Sequence, residues 1–242
     1  MYEYGQGISR DYAEAMRWFT RAANRGLPIA QNEIGTMYYD GSGVPQDYAE
    51  AMRWYRKAAD QGYAKAQYNL GVMYGNGEGV PRDYAEAVRW YRKAADQSYA
   101  AAQFNLGGLY SNGQGVSQDF AEAMRWYRKA ADQGYAKAQF NLGFMFAHGT
   151  GVPLNEPVAA WWFTRAANQG LPIAQNEIGH MYFNGEGVPK DYVQAYMWFN
   201  LAAASGYSQA AKNRAKVEKF MTSQQIAEAQ ARAAAWNPTN GQ

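Results

Sequence analysis

Six tryptophans stand 36 residues apart along this chain: Trp18, Trp54, Trp90, Trp126, Trp162 and Trp198. A pair of glycines keeps the same period, from Gly5/Gly7 through Gly41/Gly43, Gly77/Gly79, Gly113/Gly115 and Gly149/Gly151 to Gly185/Gly187. Self-similarity at a fixed period of this length marks a repeat array, one small supersecondary unit stacked on copies of itself. It accounts for an aromatic content of 16% and for 25 glycines, both high for a plain helical bundle. It also removes a competing reading of Asn76-Gly77-Glu78-Gly79-Val80-Pro81, which has the form of a phosphate-cradling loop before a helix. A nucleotide site is built once, whereas this loop occurs six times with a drifting middle residue. The loop is a turn, in which glycine supplies the positive φ that tight turns need.

One unit runs from Ala64 to Tyr99. In its first half Ala66, Leu70, Met73 and Tyr74 recur at i, i+4, i+7 and i+8, the apolar face of a helix. After the glycine loop, Pro81 and Asp83 open a second helix, with Asp83 as N-cap and Glu86 three residues on, a capping-box spacing. Ala87, Trp90, Tyr91, Ala94 and Ala95 form its apolar stripe; Glu86, Arg89, Arg92, Lys93 and Asp96 fill the other face with opposite charges at helical spacing. Small residues such as Gly71, Ala87 and Ala94 let helix axes approach, while Trp90 and Tyr91 fill the gaps between neighbours. A single helix pair buries only part of its apolar surface, and stacking on the next pair buries the remainder.

The pattern met at Ala66, Leu70, Gly71, Tyr74, Gly77, Gly79, Val80, Asp83, Tyr84, Ala87, Trp90, Tyr91, Ala94 and Ala95 resembles the Sel-one-like repeat, a relative of the tetratricopeptide repeat. The resemblance covers residues 1–207. It implies an all-α, right-handed superhelical solenoid of antiparallel helix pairs that serves as an adaptor or scaffold without catalysis. It also points to a bacterial setting, in the periplasm or outside the cell.

Met1-Tyr2 aligns with Met37-Tyr38, so the chain is expected to begin inside a first helix, as a piece of a longer protein or a truncated gene product. Residues 208–236 read as two helices outside the 36-residue pattern that cap the last unit, and Asn237 to Gln242 as a mobile polar tail. Arg21–Tyr38 returns almost unchanged as Arg165–Tyr182, an offset of 144 residues or four units, the trace of block duplication or of an engineered array. Unit five departs from the pattern. Glu156 replaces the motif tyrosine, Pro157 an alanine that lies in the helix's first turn, and Trp161 an exposed arginine. Met197 repeats the last change one unit on, and Leu201 stands where other units place Lys57, Lys93 and Lys129. Either the terminal helices cover these three apolar residues, or they form a contact patch for a partner or a second copy.

Composition excludes more than it assigns. A formal charge of +2 does not call for nucleic acid or an anionic membrane, the absence of cysteine removes disulfides and thiol chemistry, and no apolar run approaches a membrane span of about 20 residues. His148 and His180 lie in different units with no matched carboxylate, and Asp47, Asp83, Asp119 and Asp191 repeat at capping positions, so neither a metal site nor a tuned acid–base pair is expected. The Arg53, Arg56, Lys57 cluster and its copies are diluted by acids and read as a solvated face.

Binding is assigned to the first helices, which line the concave side in proteins of the kind this chain resembles. One position there reads Glu33, Asn69, Asn105, Asn141 and Glu177. An asparagine ladder offers donor and acceptor together and matches the backbone of an extended peptide, unless it merely ties down a neighbouring turn. Its predecessor, Tyr68, Phe104 and Phe140, reads as inter-repeat packing. The expected partner is a protein or peptide, with Trp161 as a separate contact and no cofactor or metal; the rival reading is a self-assembling spacer acting through homotypic contacts. A cell-wall hydrolase is the third class, and it lacks a carboxylate pair outside the capping positions.

Overall fold

The computed structural model describes residues 11–238, and these residues form thirteen α-helices and no strand. Residues 1–10, with the Gly5/Gly7 pair and the expected entry within a first helix, lie outside the described residues, as do the last four of the expected tail. The chain divides into two compact units, Met1–Asp119 and Phe120–Gln242. The first holds α1 (Tyr12–Asn24), α2 (Pro28–Asp40), α3 (Tyr48–Asp60), α4 (Ala64–Asn76), α5 (Tyr84–Asp96) and α6 (Ala100–Asn112). The second holds α7 (Phe120–Asp132), α8 (Ala136–His148), α9 (Glu156–Asn168), α10 (Pro172–Asn184), α11 (Tyr192–Ala204), α12 (Ser208–Glu218) and α13 (Ser223–Ala235). Four first helices lie most extensively on the second helix that follows them within the same unit, α2 on α3, α4 on α5, α8 on α9 and α10 on α11. The fold class is the all-α repeat solenoid.

Second helices α3, α5, α11 and α9 start where an acidic or amide side chain accepts from the N–H three residues on: Asp47 from Glu50, Asp83 from Glu86 and Asp191 from Gln194 at 3.0 Å, Asn155 from Val158 at 3.1 Å. The expected reciprocal half of the capping box does not form at Glu50 or Glu86; these carboxylates, and that of Glu122, pair with Arg53, Arg89 and Arg125 instead. The reason is local. The N–H that a closing carboxylate would accept from is already donated to a carbonyl of the preceding helix, Asp83 to Tyr74 and Asp191 to Tyr182 at 2.9 Å. Among the described residues the complete box occurs at Thr222 and Gln225, opening α13.

The glycine pair divides its labour. Gly77 ends α4 in the left-handed region (φ 78°), its N–H returning to the Met73 carbonyl at 2.9 Å. The second glycine sits under the next layer. At Gly115 (φ 72°) a Cβ would overlap the Tyr84 backbone at the start of α5, and Gly79 stands in the same relation to Tyr48. A third glycine lies inside each first helix: a Cβ at Gly71 would stand 2.5 Å from the Tyr91 ring, and one at Gly143 2.7 Å from Phe163. Cations lie over the tryptophan rings in successive repeats. Lys57, Lys93 and Lys129 hold their ammonium groups 4.1, 4.1 and 4.2 Å from the Trp54, Trp90 and Trp126 rings, and Arg56 and Arg128 lie 5.0 Å over Trp90 and Trp162 of the following repeats. Cations expected on a solvated face thus also cover indole.

A buried glutamine, absent from the motif pattern, stitches the layers. Gln31, Gln67, Gln103, Gln139 and Gln175 each donate to the carbonyl eight residues back, at 3.1–3.3 Å. Gln31, Gln67 and Gln139 also accept from Gln61, Gln97 and Gln169 of the next layer at 2.7–2.8 Å. The corresponding position beyond Gln175 is Ser205, too short to reach, and the Gln175 Oε1 is left buried without a partner. The two helices after residue 207 lie against α11, where Val217 and Ala229 join Tyr196 and Phe199 in one buried cluster. Although the sequence places them beyond the pattern, α12 keeps the 36-residue register, with Ala210, Asn213 and Val217 matching Ala174, Glu177 and Met181.

Two substitutions test this layering. Gly115→Ala combines positive φ with backbone overlap and should cost about 3 kcal/mol, against about 1 kcal/mol for Gly62→Ala, where φ is 87° but the space is open; urea unfolding separates them. Ser205→Gln restores a donor to Gln175 and should stabilise by about 1 kcal/mol, read as a higher unfolding midpoint.

Candidate functional site

The five residues expected on the first-helix face do not stand apart as a free ladder. Glu33 is only 8% exposed, and its carboxylate accepts from the Asn32 amide at 3.0 Å and the Lys65 ammonium at 3.1 Å. Asn69 donates to Asn32 Oδ1 at 3.0 Å, so Asn32, Glu33, Lys65 and Asn69 form one network linking α2 to α4. Asn105 is hydrogen-bonded to the Tyr91 hydroxyl. In the second unit, Glu177 accepts from Asn176 at 3.1 Å, and Asn141 is half-buried. The position continues into α12, where Asn213 donates to Asn176 at 2.8 Å and its amide nitrogen lies 2.9 Å from His180 Nε2. Asn176 and Asn213 thus repeat, 144 residues on, what Asn32 and Asn69 do. Asn213 was legible, since it stands 36 residues after Glu177 in a helix whose other signals differ.

The aromatic predecessors pack between layers: Tyr68 lies 5.8 Å from Tyr91 and 5.2 Å from Tyr99, and Phe140 5.5 Å from Phe163. Between consecutive first helices these contacts leave a cleft floored by the aromatic residue of the intervening second helix. Three such clefts occupy equivalent register positions. The α2/α4 cleft, about 280 Å³, has Tyr55, Tyr68 and Asn69 in its lining; the α4/α6 cleft, about 260 Å³, has Tyr91, Phe104 and Asn105. The α10/α12 cleft holds about 100 Å³ above Phe199, with Asn213, His180 and Lys216 among its walls. The floor residues were read from sequence as gap fillers; their part in a cleft depends on the spacing of three helices.

Burial raises the phenols of Tyr55 and Tyr91 well above the ordinary tyrosine range, and Tyr39 is pushed up to about 12, by burial first and then by the hydrogen bond it donates to Glu78 and that carboxylate's charge. His148 stacks on Phe144 at 4.0 Å with its Nδ1 2.9 Å from the Phe144 carbonyl, and His180 meets the edge of Phe199 at 5.1 Å.

The three apolar departures on the second helices separate. Met197 is buried and Leu201 half-buried, both in the cluster reached by Trp236 of the terminal segment. Trp161 stays 50% exposed, edge-on to the buried Trp162 at 4.4 Å, with Arg165 4.9 Å over its ring.

Comparison with known proteins follows the same units. The Sel1 repeat matches at residues 1–27, 28–63, 64–99, 100–135, 136–171 and 172–207. No curated protein matches the chain. Among solved structures, a protective antigen present in uropathogenic Escherichia coli strains and displaying an SLR fold is 38% identical, with a TM-score of 0.88 over 96% of this chain and 51% of its own. The chain therefore spans about half the length of that antigen. A Sel1 repeat protein from Oxalobacter formigenes is 37% identical, with a TM-score of 0.75 over 80% of this chain and 79% of its own. An immunity protein from Pseudomonas aeruginosa, 21% identical with a TM-score of 0.51 over 89% of this chain and 80% of its own, shares the fold.

The buried phenols generate a pH dependence. Their folded-state pKa lies above the unfolded value of about 10, so the folded chain keeps these protons longer. Their contribution is complete below about pH 10 and lost as pH rises from there towards the folded values. Melting temperature followed upward from pH 9 should fall, and fall less steeply in Tyr55→Phe/Tyr91→Phe, which copies the residue types at Phe163 and Phe199.

Proposed function

This chain belongs to the Sel1 repeat family, whose members are generally protein-interaction modules, and on that premise we propose that it is a non-catalytic scaffold binding an extended segment of another protein on the faces of its first helices. The observation that carries the reading is the recurrence of one cleft at the same register position, with an aromatic floor and an asparagine in its wall. Volumes of about 280 and 260 Å³ fall below the roughly 300–1,000 Å³ of pockets that enclose whole small molecules, and suit single side chains of a longer ligand. Alternate side chains of an extended strand seated in pockets, with its backbone met by amides, is a recurring mode of peptide recognition. Asn69, Asn105 and Asn141 are the backbone contacts in this reading, and Glu33 and Glu177 hold their neighbours in place.

One observation favours homotypic assembly as a second reading: Trp161 exposes half its surface at a position where the four preceding repeats carry arginine. Panning a random peptide library on the immobilised protein tests both. Selected peptides should lose at least about tenfold in affinity for Asn69→Ala/Asn105→Ala/Asn141→Ala, the loss of one or more net hydrogen bonds. Undiminished binding by the folded variant removes the amides from the account. Absence of any selected peptide, together with a mass in light scattering that rises with concentration and reverts in Trp161→Arg, favours assembly.

A further inference from the structure

The two clefts of the first unit have the same framework and different charge, and the difference specifies what each accepts. In the α2/α4 cleft, Asp40 is exposed and its carboxylate makes no hydrogen bond or ion pair among the described residues. Lys65 on the opposite wall is matched by Glu33 at 3.1 Å. Glu78, bound by the Tyr39 hydroxyl at 2.9 Å, adds a further carboxylate against a lining residue. Between these acids the floor is apolar and aromatic, made by Tyr55, Tyr68 and Val72. One repeat on, the position of Asp40 is Asn76, and no residue lining the α4/α6 cleft carries a charge. Its floor is Tyr91, Phe104 and Leu109, and Gly108, where the preceding layer has Val72, leaves it without a side chain at that point.

We infer that these clefts read two side chains of the bound polypeptide: a lysine or arginine between α2 and α4, and an uncharged aromatic or large aliphatic residue between α4 and α6. The inference rests on the polypeptide-binding reading above and adds its specificity. A lysine or arginine suits the first cleft because its methylene stem covers aromatic surface while its head remains at the rim, beside an unpaired carboxylate and facing ring π-systems. Acidic side chains are disfavoured there by Asp40 and Glu78. The second cleft rejects charge of either sign, since an ion entering it would shed water with no counter-charge to meet. An apolar ring loses nothing polar on entry, and a tyrosine hydroxyl finds the amides of Asn76, Asn105 and Asn112 in the walls. Asp40 and Gly108 are thus the specificity-determining positions.

The test uses the whole chain and fluorescein-labelled peptides from the library selection, measured by fluorescence anisotropy with positional scanning. Selected sequences should share a basic residue and a large uncharged one at a constant separation. Replacing the basic residue by glutamine should weaken binding at least tenfold to the wild-type protein and less than threefold to Asp40→Asn. Gly108→Val, which installs the side chain of the preceding layer, should weaken peptides carrying an aromatic residue at least tenfold and favour those with alanine there. Melting curves of both variants verify folding, and Asp40→Asn, at an exposed position, is kept as the decisive variant if Gly108→Val unfolds. Peptides that bind but carry no such pair, or whose affinities ignore Asp40→Asn, overturn the inference and leave the broader reading standing. A wild-type protein that binds no polypeptide overturns both.

Discussion

An aromatic ring pressed against a helix backbone that has no side chain at that point is the contact on which the rest of this structure depends. Gly71 admits Tyr91, Gly35 admits Tyr55, and Gly143 and Gly179 admit Phe163 and Phe199. Without a Cβ the two helix axes close on one another, and the small residues Ala87, Ala94 and Ala166 beside the rings are then fully buried. The same ring has a second face. It floors the cleft between consecutive first helices, so the device that holds a repeat together also shapes the surface offered to a partner.

Layers are joined by polar means as well as apolar ones. The glutamine series satisfies helix-end carbonyls and reaches the next layer, a use of buried amides that works only while every partner is present. Where Ser205 breaks the series, the Gln175 oxygen is stranded, although α12 beyond it still keeps the 36-residue register. The carboxylates that looked like capping-box partners went to arginine for a related reason: the donors they would have met were already committed to the preceding helix.

The helices and their caps were legible because they follow from neighbours within four residues. Asp83 capping Glu86, Gly77 ending α4 and the apolar stripe of α5 needed no tertiary information. The candidate site was legible in position and not in state. Sequence placed Glu33 and Asn69 on one face, but whether their polar atoms faced a partner or one another depended on Asn32 and Lys65, one residue and one layer away. Asp40 is not legible as a site residue in the sequence, because an aspartate at the end of a helix is unremarkable until the packed layers place it beside an aromatic cleft.

What the amino-acid order determined by itself was the unit: a helix, a two-glycine turn and a second helix, repeated every 36 residues, with too much apolar surface for any single copy to keep dry. Tertiary structure alone decided which of these repeated residues became equivalent. Trp161 and Met197 share a register position, yet one is half exposed and the other buried under the terminal segment that Trp236 anchors. Periodicity is a property of the chain, whereas burial and unpaired charge belong to the packed layers, since both depend on atoms supplied by another helix.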